Sequence, residues 1–391
     1  MTFPNLPRVL EWEILSRVPA TSLTRFRYTC RRWYALFKNP RFIEKHSGKA
    51  AKHFILKKDF GVYSVNIDLH GINKDQRFDP SILKDSEQTM IHAIFHCEGL
   101  FLCTTKDKRI VVWNPCTGQT RWIRIQPRSG HFVYDSYSLG YGNNKNNYSC
   151  DSFKILRCRK HYDNVPVMEF ELYDFNTDSW RLLAEDAQSS LTVSWRWMIT
   201  SRGVSLKGNT YWVACDRHEH HDSKFLLRFD FKEERFERFS LPDGGYGSTV
   251  FLSVVREEKL AVLFERRNID SSRHLKIWVT DNKIDEAKSM TYIQYFLVMD
   301  FSNTLGKGTA VVSFLLDEEN KKVVCCGLDT RNRNKTIMYI VGGDQESIHS
   351  CEQILGEIAQ GPTEDCWPFL ESYVPSLVQI QQVEAADAEG D

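Results

Sequence analysis

Apolar residues in the first part of the chain recur at helical spacing. One predicted helical face consists of Leu10, Ile14, Leu15 and Val18. A second face consists of Leu23, Phe26, Cys30 and Trp33. Pro19 ends the first helix, and a third short helical stretch ends before Asn39-Pro40. Three helices of this length bury too little apolar surface to be stable alone, so they need a neighbour. That neighbour is either the rest of the chain or another protein.

From about residue 52 the pattern changes to short apolar runs separated by turns rich in Gly, Asn and Asp, which predicts strands. Two kinds of hairpin alternate. In the first kind a short polar turn precedes an apolar strand, as in residues 97–103, 206–215 and 256–265. In the second kind the turn carries Asn or Asp and an aromatic follows, as in residues 111–125, 171–183 and 227–241.

The second kind of hairpin recurs at an interval typical of propeller blades. Trp113 and Phe175 are 62 residues apart, and Phe175 and Phe231 are 56 residues apart. Such repeats predict a β-propeller or a related closed array, in which radial repetition protects the strand edges. Residues 373–380 are predicted to pair with residues 54–60 and close the ring.

The fold class predicted is therefore mainly β with a small α-helical N-terminal domain. We expect a three-helix domain over residues 1–47 and a β-propeller-like domain over residues 48–380. Residues 381–391 contain four acidic residues, no basic residue and no large aromatic, which predicts a disordered tail.

Charge and cysteine content narrow the function classes. The chain of 391 residues has 51 basic and 51 acidic residues, so no overall field favours nucleic acid or an anionic membrane as a partner. Residues 1–50 contain ten basic and three acidic residues, which indicates either a solvated helical surface or a surface for an acidic partner. The sequence has no run of 18 apolar residues, no secretory signal and no C-x-x-C among its 11 cysteines. We therefore expect a protein of the nucleus and/or cytoplasm.

The sequence contains no motif that is typical of catalysis or cofactor binding. The histidines of HEHHD (218–222) are interpreted as a hairpin loop rather than a zinc site, because zinc needs ligands that converge on one point. Neither a phosphate-binding loop nor a G-x-S-x-G motif is present. No catalytic residue, metal or cofactor is predicted. Trp195 and Trp197 share one strand face and are candidates for contacting a target protein, with burial in the core as the alternative.

The N-terminal residues 6–42 resemble an F-box. The matching positions are Leu6, Pro7, Leu10, Glu13, Ile14, Leu15, Arg17, Pro19, Ser22, Leu23, Arg25, Phe26, Arg27, Cys30, Trp33, Pro40 and Phe42. The family usually has an acidic residue where this chain has Val9. An acid in the first helical turn contributes about 0.3–1 kcal/mol through the helix dipole, and Glu11 compensates in part.

The rest of the chain resembles the plant F-box-associated domain of type 1, which is Kelch-like. The segments that carry this resemblance include VVWNPCTGQTRWI, ELYDFNTDSWR, GVSLKGNTYWVA, LLRFDFKEERF and ESYVPSLVQI. Together the two resemblances cover nearly the whole chain.

The resemblance implies the substrate-recognition subunit of an SCF-type (Skp adaptor–cullin–F-box) ubiquitin ligase, which is not itself an enzyme. Its F-box would bind the Skp-type adaptor, and through it a cullin, while the β domain would bind an unknown target protein. The residues expected to contact the adaptor are Leu6, Pro7, Leu10, Ile14, Leu15, Val18, Pro19, Leu23, Phe26, Arg27 and Cys30. The alternatives are an interaction protein with a degenerate F-box that does not assemble with cullin, and a propeller-fold hydrolase or lyase.

Overall fold

A computed structural model describes the chain over residues 7–47, 53–58, 60–68, 71–78, 90–125, 132–142, 153–162, 166–183, 197–216, 223–242, 247–267, 273–281, 291–300, 309–329, 336–342, 353–354 and 367–380. The predicted acidic tail, residues 381–391, lies outside these ranges. Within them, no helix combines the length and the apolar character needed to span a membrane.

Four short helices form the N-terminal unit. They are α1 (Arg8–Leu15), α2 (Ala20–Phe26), α3 (Arg31–Leu36) and α4 (Pro40–Ser47). Pro7 and Pro19 occupy the N-cap positions of α1 and α2. The three predicted helices are present, and α4 is an addition that the sequence interpretation missed.

The start of α4 explains why it was missed. Pro40 was interpreted as the end of helical structure, but it is the first residue of α4, where a missing N–H does no harm. The side-chain oxygen of Asn39 accepts a hydrogen bond from the amide of Arg41 at 3.0 Å and so satisfies a donor at the helix start. An Asn-Pro pair is therefore a helix-start signal in this chain.

The strands form six antiparallel sheets, which are the blades of a β-propeller. Blade 1 contains β1 (His53–Lys58), β2 (Gly61–Asp68) and β3 (Gly71–Phe78), and is completed by the C-terminal strand β25 (Phe369–Tyr373). Blade 2 contains β4 (Ile91–Cys97), β5 (Leu100–Thr105), β6 (Ile110–Asn114) and β7 (Gln119–Ile123). Blade 3 contains β8 (Phe132–Tyr141), β9 (Phe153–Tyr162), β10 (Pro166–Asp174) and β11 (Ser179–Leu182).

The remaining three blades follow along the chain, and blade 4 has five strands instead of four. Blade 4 contains β12 (Trp197–Ile199), β13 (Val204–Leu206), β14 (Asn209–Asp216), β15 (Lys224–Asp230) and β16 (Arg235–Ser240). Blade 5 contains β17 (Ser248–Val255), β18 (Lys259–Arg267), β19 (Arg273–Thr280) and β20 (Tyr292–Asp300). Blade 6 contains β21 (Thr309–Asp317), β22 (Lys322–Asp329), β23 (Thr336–Gly342) and β24 (Gln353–Ile354). The inner strands of the blades contact one another around the axis.

The predicted second kind of hairpin is built on one repeated turn. Its Asn or Asp ends the second-to-last strand of blades 2, 3 and 4, at Asn114, Asp174 and Asp230, and the same turn follows the first strand of blade 6, at Asp317. The side-chain oxygen of each accepts a hydrogen bond from the backbone amide two residues later. Four residues after each lies a residue with positive φ: Gly118 (71°), Asp178 (49°), Glu234 (52°) and Lys321 (49°). At each of these turns, the side chain of the Asn or Asp thus accepts the hydrogen bond that a neighbouring strand would accept in regular sheet.

Turns mark one end of the propeller. In a four-stranded antiparallel blade, the turn between the first two strands and the turn between the last two lie at the same end. We call this end the turn face, and in blade 2 it carries the turns at residues 98–99 and 115–118. Buried residues of the helical unit and of the turn face, such as Leu23 and Cys97, belong to one continuous hydrophobic cluster. The helical unit therefore packs on the turn face.

The ring is closed by pairing between the two ends of the domain. Strand β25 pairs antiparallel with β1, with His53 opposite Tyr373. The last part of the domain was correctly predicted to pair with β1. The pairing strand, however, is Phe369–Tyr373 rather than residues 373–380. Residues 374–380, which we call the latch segment, continue as buried chain without strand pairing.

Asn114 holds the latch segment in place. Its side-chain amide donates hydrogen bonds to the carbonyl oxygens of Ser376 at 3.0 Å and Val378 at 2.8 Å. Its side-chain oxygen accepts from the amides of Cys116 and Thr117 in the turn of blade 2. A buried asparagine can do both because it is donor and acceptor at once. The other three turns use Asp and have no second task of this kind to perform.

We predict that Asn114→Asp lowers the free energy of unfolding by ~2–4 kcal/mol, measured by chemical denaturation. The turn keeps its acceptor, but a buried carboxylate then faces two carbonyl oxygens that have lost their donor. The matched control is Asp174→Asn in blade 3, where the side chain accepts from the amide of Asn176 and, among the described residues, holds no latch segment. The control should change stability by no more than about 0.5 kcal/mol. Equal effects of the two substitutions would show that the latch contacts are unimportant.

Candidate adaptor-binding surface

The inner faces of the helices form a small aromatic core. Leu15 and Leu23 are enclosed, with 4% and 0% of their surface exposed. The ring of Trp12 meets that of Phe42 edge to face at 5.7 Å, and Phe37 lies 5.5 Å from Phe42. These contacts use the apolar surface of the helices that points inward.

A buried carboxylate ties α1 to α3. Glu11 accepts a hydrogen bond from the indole N–H of Trp33 and forms an ion pair with Arg32. Glu11 is itself buried, so both partners compensate for the loss of its hydration. Trp33 also packs against the ring of Phe26, so its contacts join α3 to both α1 and α2.

A second set of contacts ties α4 to the loop that follows α1. The buried imidazole of His46 donates from Nε2 to the carbonyl oxygen of Val18 at 2.8 Å. The ring also stacks on Phe42. Within the described part of the chain, His46 Nδ1 is buried and has no hydrogen-bond partner. Burial lowers the pKa of His46 below its usual value, because a proton on Nδ1 would be poorly solvated there.

We predict that α4 loses stability as the pH falls below about 6.5, the pKa of an unperturbed histidine. The unfolded state takes up a proton there before the folded state does, so the stability present at higher pH is lost on acidification. Backbone hydrogen exchange of α4, corrected for intrinsic rates, should speed up between pH 7.5 and 5.5.

The control for this prediction is His46→Gln, which can keep a donor near the Val18 carbonyl and does not titrate. Its α4 amides should show no comparable change with pH. If both proteins lose protection equally, another group is responsible for the pH dependence.

The outer face of α1 is apolar and uncovered. Leu10 and Ile14, one helical turn apart, are 51% and 54% exposed, and the neighbouring Val9 is more exposed still. Further along, Phe26, Tyr28 and Tyr34 are also exposed. Large apolar side chains at successive positions of one short helix are characteristic of a surface that another protein covers. We call these exposed residues the outer helical surface, which consists of Pro7, Val9, Leu10, Ile14, Phe26, Tyr28 and Tyr34.

The predicted adaptor-contacting residues divide into two groups. Pro7, Leu10, Ile14, Pro19, Phe26 and Cys30 are exposed, while Val18 and Arg27 are half-buried. Leu15 and Leu23 are enclosed in the helical core, and their contact with an adaptor stays a prediction. Leu6 lies outside the described residues.

Two of these predicted positions, Cys30 and Arg27, also have local roles. The sulfur of Cys30 accepts from the amide of Trp33 at 3.4 Å and so caps α3. The guanidinium of Arg27 lies over the ring of Tyr28 at 4.6 Å. Tyr28 and Tyr34 were not predicted as surface residues, although their positions outside the two apolar stripes were the signal available for them.

The candidate residues of the propeller are less informative. Trp195 and the HEHHD histidines lie outside the described residues, and Trp197 is the first residue of β12, pairing with Asp216. Burial raises the pKa values of Cys103 and Cys158 to about 12, which keeps these thiols protonated. In the described part of the chain, no group of three or more His, Cys, Asp or Glu side chains is arranged to hold a metal ion.

The fold and the outer helical surface define a class: a six-bladed β-propeller carrying a helical protein-interaction unit at its N-terminal end. The family model described as F-box domain matches residues 3–45, and the model described as F-box associated beta propeller domain matches residues 53–380. The chain therefore belongs to the F-box proteins with an F-box associated β-propeller domain.

Similar curated proteins support this membership over nearly the full length. A putative F-box/kelch-repeat protein of Arabidopsis thaliana is 46% identical over 397 residues, covering 98% of this chain and 94% of the relative. A second F-box/kelch-repeat protein of A. thaliana is 44% identical over 399 residues, with 98% and 96% covered. Putative F-box only protein 9 of A. thaliana is 42% identical over 406 residues, with 98% and 97% covered.

Proposed function

We propose that the protein is the substrate-recognition subunit of an SCF-type ubiquitin ligase. Its F-box binds a Skp-type adaptor, which connects it to a cullin, and its propeller binds a target protein. The chain carries no catalytic step of its own in this proposal. Its contribution is to hold a lysine of the target near the ubiquitin thioester, which raises the effective concentration of the two reactants. We place this activity in the nucleus and/or cytoplasm.

The observation that carries the proposal is the uncovered apolar face of α1. Complete burial of a Leu or Ile side chain contributes ~1.5–3 kcal/mol. About half of Leu10 and Ile14 remains to be buried, so the two together would contribute roughly 1.5–3 kcal/mol to adaptor binding. The free energy of the rest of the interface would have to come from neighbours such as Pro7, Phe26 and Val9.

We predict that Leu10→Asp combined with Ile14→Asp abolishes co-purification with a Skp-type adaptor. Both side chains point away from the helical core, so the F-box should remain folded while the adaptor meets two charges that cannot be solvated in the interface. Co-purification of the adaptor from cells expressing the tagged chain measures the effect, and far-ultraviolet circular dichroism checks the fold.

The matched control is Leu182→Asp combined with Ile293→Asp. These two side chains are each 50% exposed but lie on β11 and β20 of the propeller. The control variant should retain adaptor binding at the level of the unmodified protein. Failure of the unmodified protein to bind any Skp-type adaptor would refute the proposed function.

A second function is favoured by one observation. Val9 is largely exposed at the second position of α1, where the family usually has an acid. This departure supports an interaction protein whose F-box binds an adaptor without assembling with cullin. Probing the same co-purified complexes for cullin separates the two: adaptor with cullin supports the ligase, and adaptor without cullin supports the second function.

A further inference from the structure

A cavity of about 200 Å³ lies in the half of the propeller remote from the turn face. Its walls come from the inner strands, including residues 92–95 of β4, residues 135–137 of β8, and Phe369 and Glu371 of β25. Residues 201–203, just before β13, complete it. The helical unit packs on the opposite end, so a molecule in this cavity would not compete with an adaptor on α1.

The size of the cavity limits what it can hold. Sites for cofactors and drug-sized ligands usually enclose ~300–1,000 Å³. A cavity of about 200 Å³ fits one long side chain instead. Aromatic rings of Tyr137, Trp212 and Phe369 form part of its wall, which suits the apolar stem of such a side chain.

A ladder of charged residues fixes one wall. Asp135 on β8 receives hydrogen bonds from Arg157 Nε at 3.1 Å and Arg159 Nε at 3.2 Å on β9. Arg157 also donates to Glu171 on β10 at 3.1 Å, and Arg159 lies 3.7 Å from Glu169. Arg157, Arg159 and Glu171 are all buried. These interlocked pairs hold the Asp135 carboxylate rigidly at the cavity.

The other charges of the wall leave the site negative. Glu371 of β25 lines the cavity with His96 at 3.7 Å from its carboxylate, and the guanidinium of Arg202 lies over the Phe369 ring at 4.8 Å. Among the described residues, the wall contains two carboxylates, Asp135 and Glu371, and one guanidinium. The ladder behind it adds two arginines and two glutamates and leaves the excess of one negative charge unchanged. An excess of negative charge in a cavity favours a cation.

We propose that the cavity receives a lysine or arginine side chain of the target protein. This inference rests on the proposed function, because it assigns the surface by which the propeller recognises its target. The stem of the side chain packs against the aromatic wall, and its charged end lies near Glu371. Recognition through a single inserted side chain would leave the surrounding loops to select among targets.

The test uses capped tripeptides, Gly-Arg-Gly and Gly-Lys-Gly, with Gly-Glu-Gly as the charge-reversed comparison. Saturation-transfer NMR with the full-length chain measures binding. We expect both cationic peptides to bind at least tenfold more tightly than the acidic one. Glu371→Gln should weaken cationic peptide binding by roughly tenfold through loss of a charged partner.

Two further variants separate charge from shape. Ala93→Phe places a ring in the cavity wall and should abolish binding of every peptide. Glu319→Gln removes a carboxylate from a largely exposed position in the turn between β21 and β22, outside the cavity, and should leave binding unchanged. All variants are compared at equal folded fraction, judged by thermal unfolding.

Equal binding of the cationic peptides to the unmodified protein and to Glu371→Gln would overturn the inference. So would equal binding of the acidic and cationic peptides. Free agmatine that binds more tightly than the capped arginine peptide would assign the cavity to a small amine and not to a protein side chain.

Adaptor co-purification is measured separately on the same proteins. Loss of peptide binding with adaptor binding intact counts only against this inference, and the reverse result counts only against the proposed function.

Discussion

The pairing of β25 with β1 is the contact on which the rest of the structure depends. It joins residues about 310 positions apart, as the bond from Lys57 to the carbonyl of Trp367 illustrates. Without it, blade 1 would lack its inner strand and the ring would have two open edges. The same pairing delivers the latch segment to blade 2, where Asn114 fixes it. The helical unit and the latch residues Leu377 and Val378 then share one hydrophobic cluster.

The apolar residues of α1 face in two directions, and this connects the architecture to function. Leu15 points into the helical core, while Leu10 and Ile14 remain outside. A helix of eight residues has room for both faces because its side chains are spread around the axis every 100°. The inward contacts attach the unit to the propeller, and the outward contacts remain for a partner. In the proposed function, adaptor and target would then be held at opposite ends of the molecule.

The fold class could be predicted from the sequence because the sequence has two periodicities. Apolar residues recur at helical spacing in the first part of the chain, and turns recur at the length of a blade in the rest. The turns at Asn114, Asp174 and Asp230 recur with the blades, and local hydrogen bonding explains their residue type. Helix α4 was missed because proline is compatible both with ending a helix and with starting one. The closing strand was predicted too far along the chain because residues 374–380 are as apolar as a strand, while the carbonyls of Ser376 and Val378 bond to the side chain of Asn114 instead of a strand.

The candidate sites were less predictable for a different physical reason. Periodicity places Leu10, Leu15 and Leu23 on apolar faces but does not say which side another element will cover. That depends on how the helices pack on the turn face. The cavity could not be predicted either, since Asp135, Arg202 and Glu371 come from three blades and are distant in the sequence.

Closure by the last strand also has a consequence for synthesis of the protein. The F-box leaves the ribosome first, but β1 must wait for β25, and ribosomes add ~5–20 residues each second. The intervening 310 residues therefore take roughly 15–60 s to translate. During this interval blade 1 exposes the unpaired edge of β1, and the contacts of Asn114 with the latch segment cannot form. Chaperone protection of the growing chain matters most in this window, and a prematurely terminated product would never leave it.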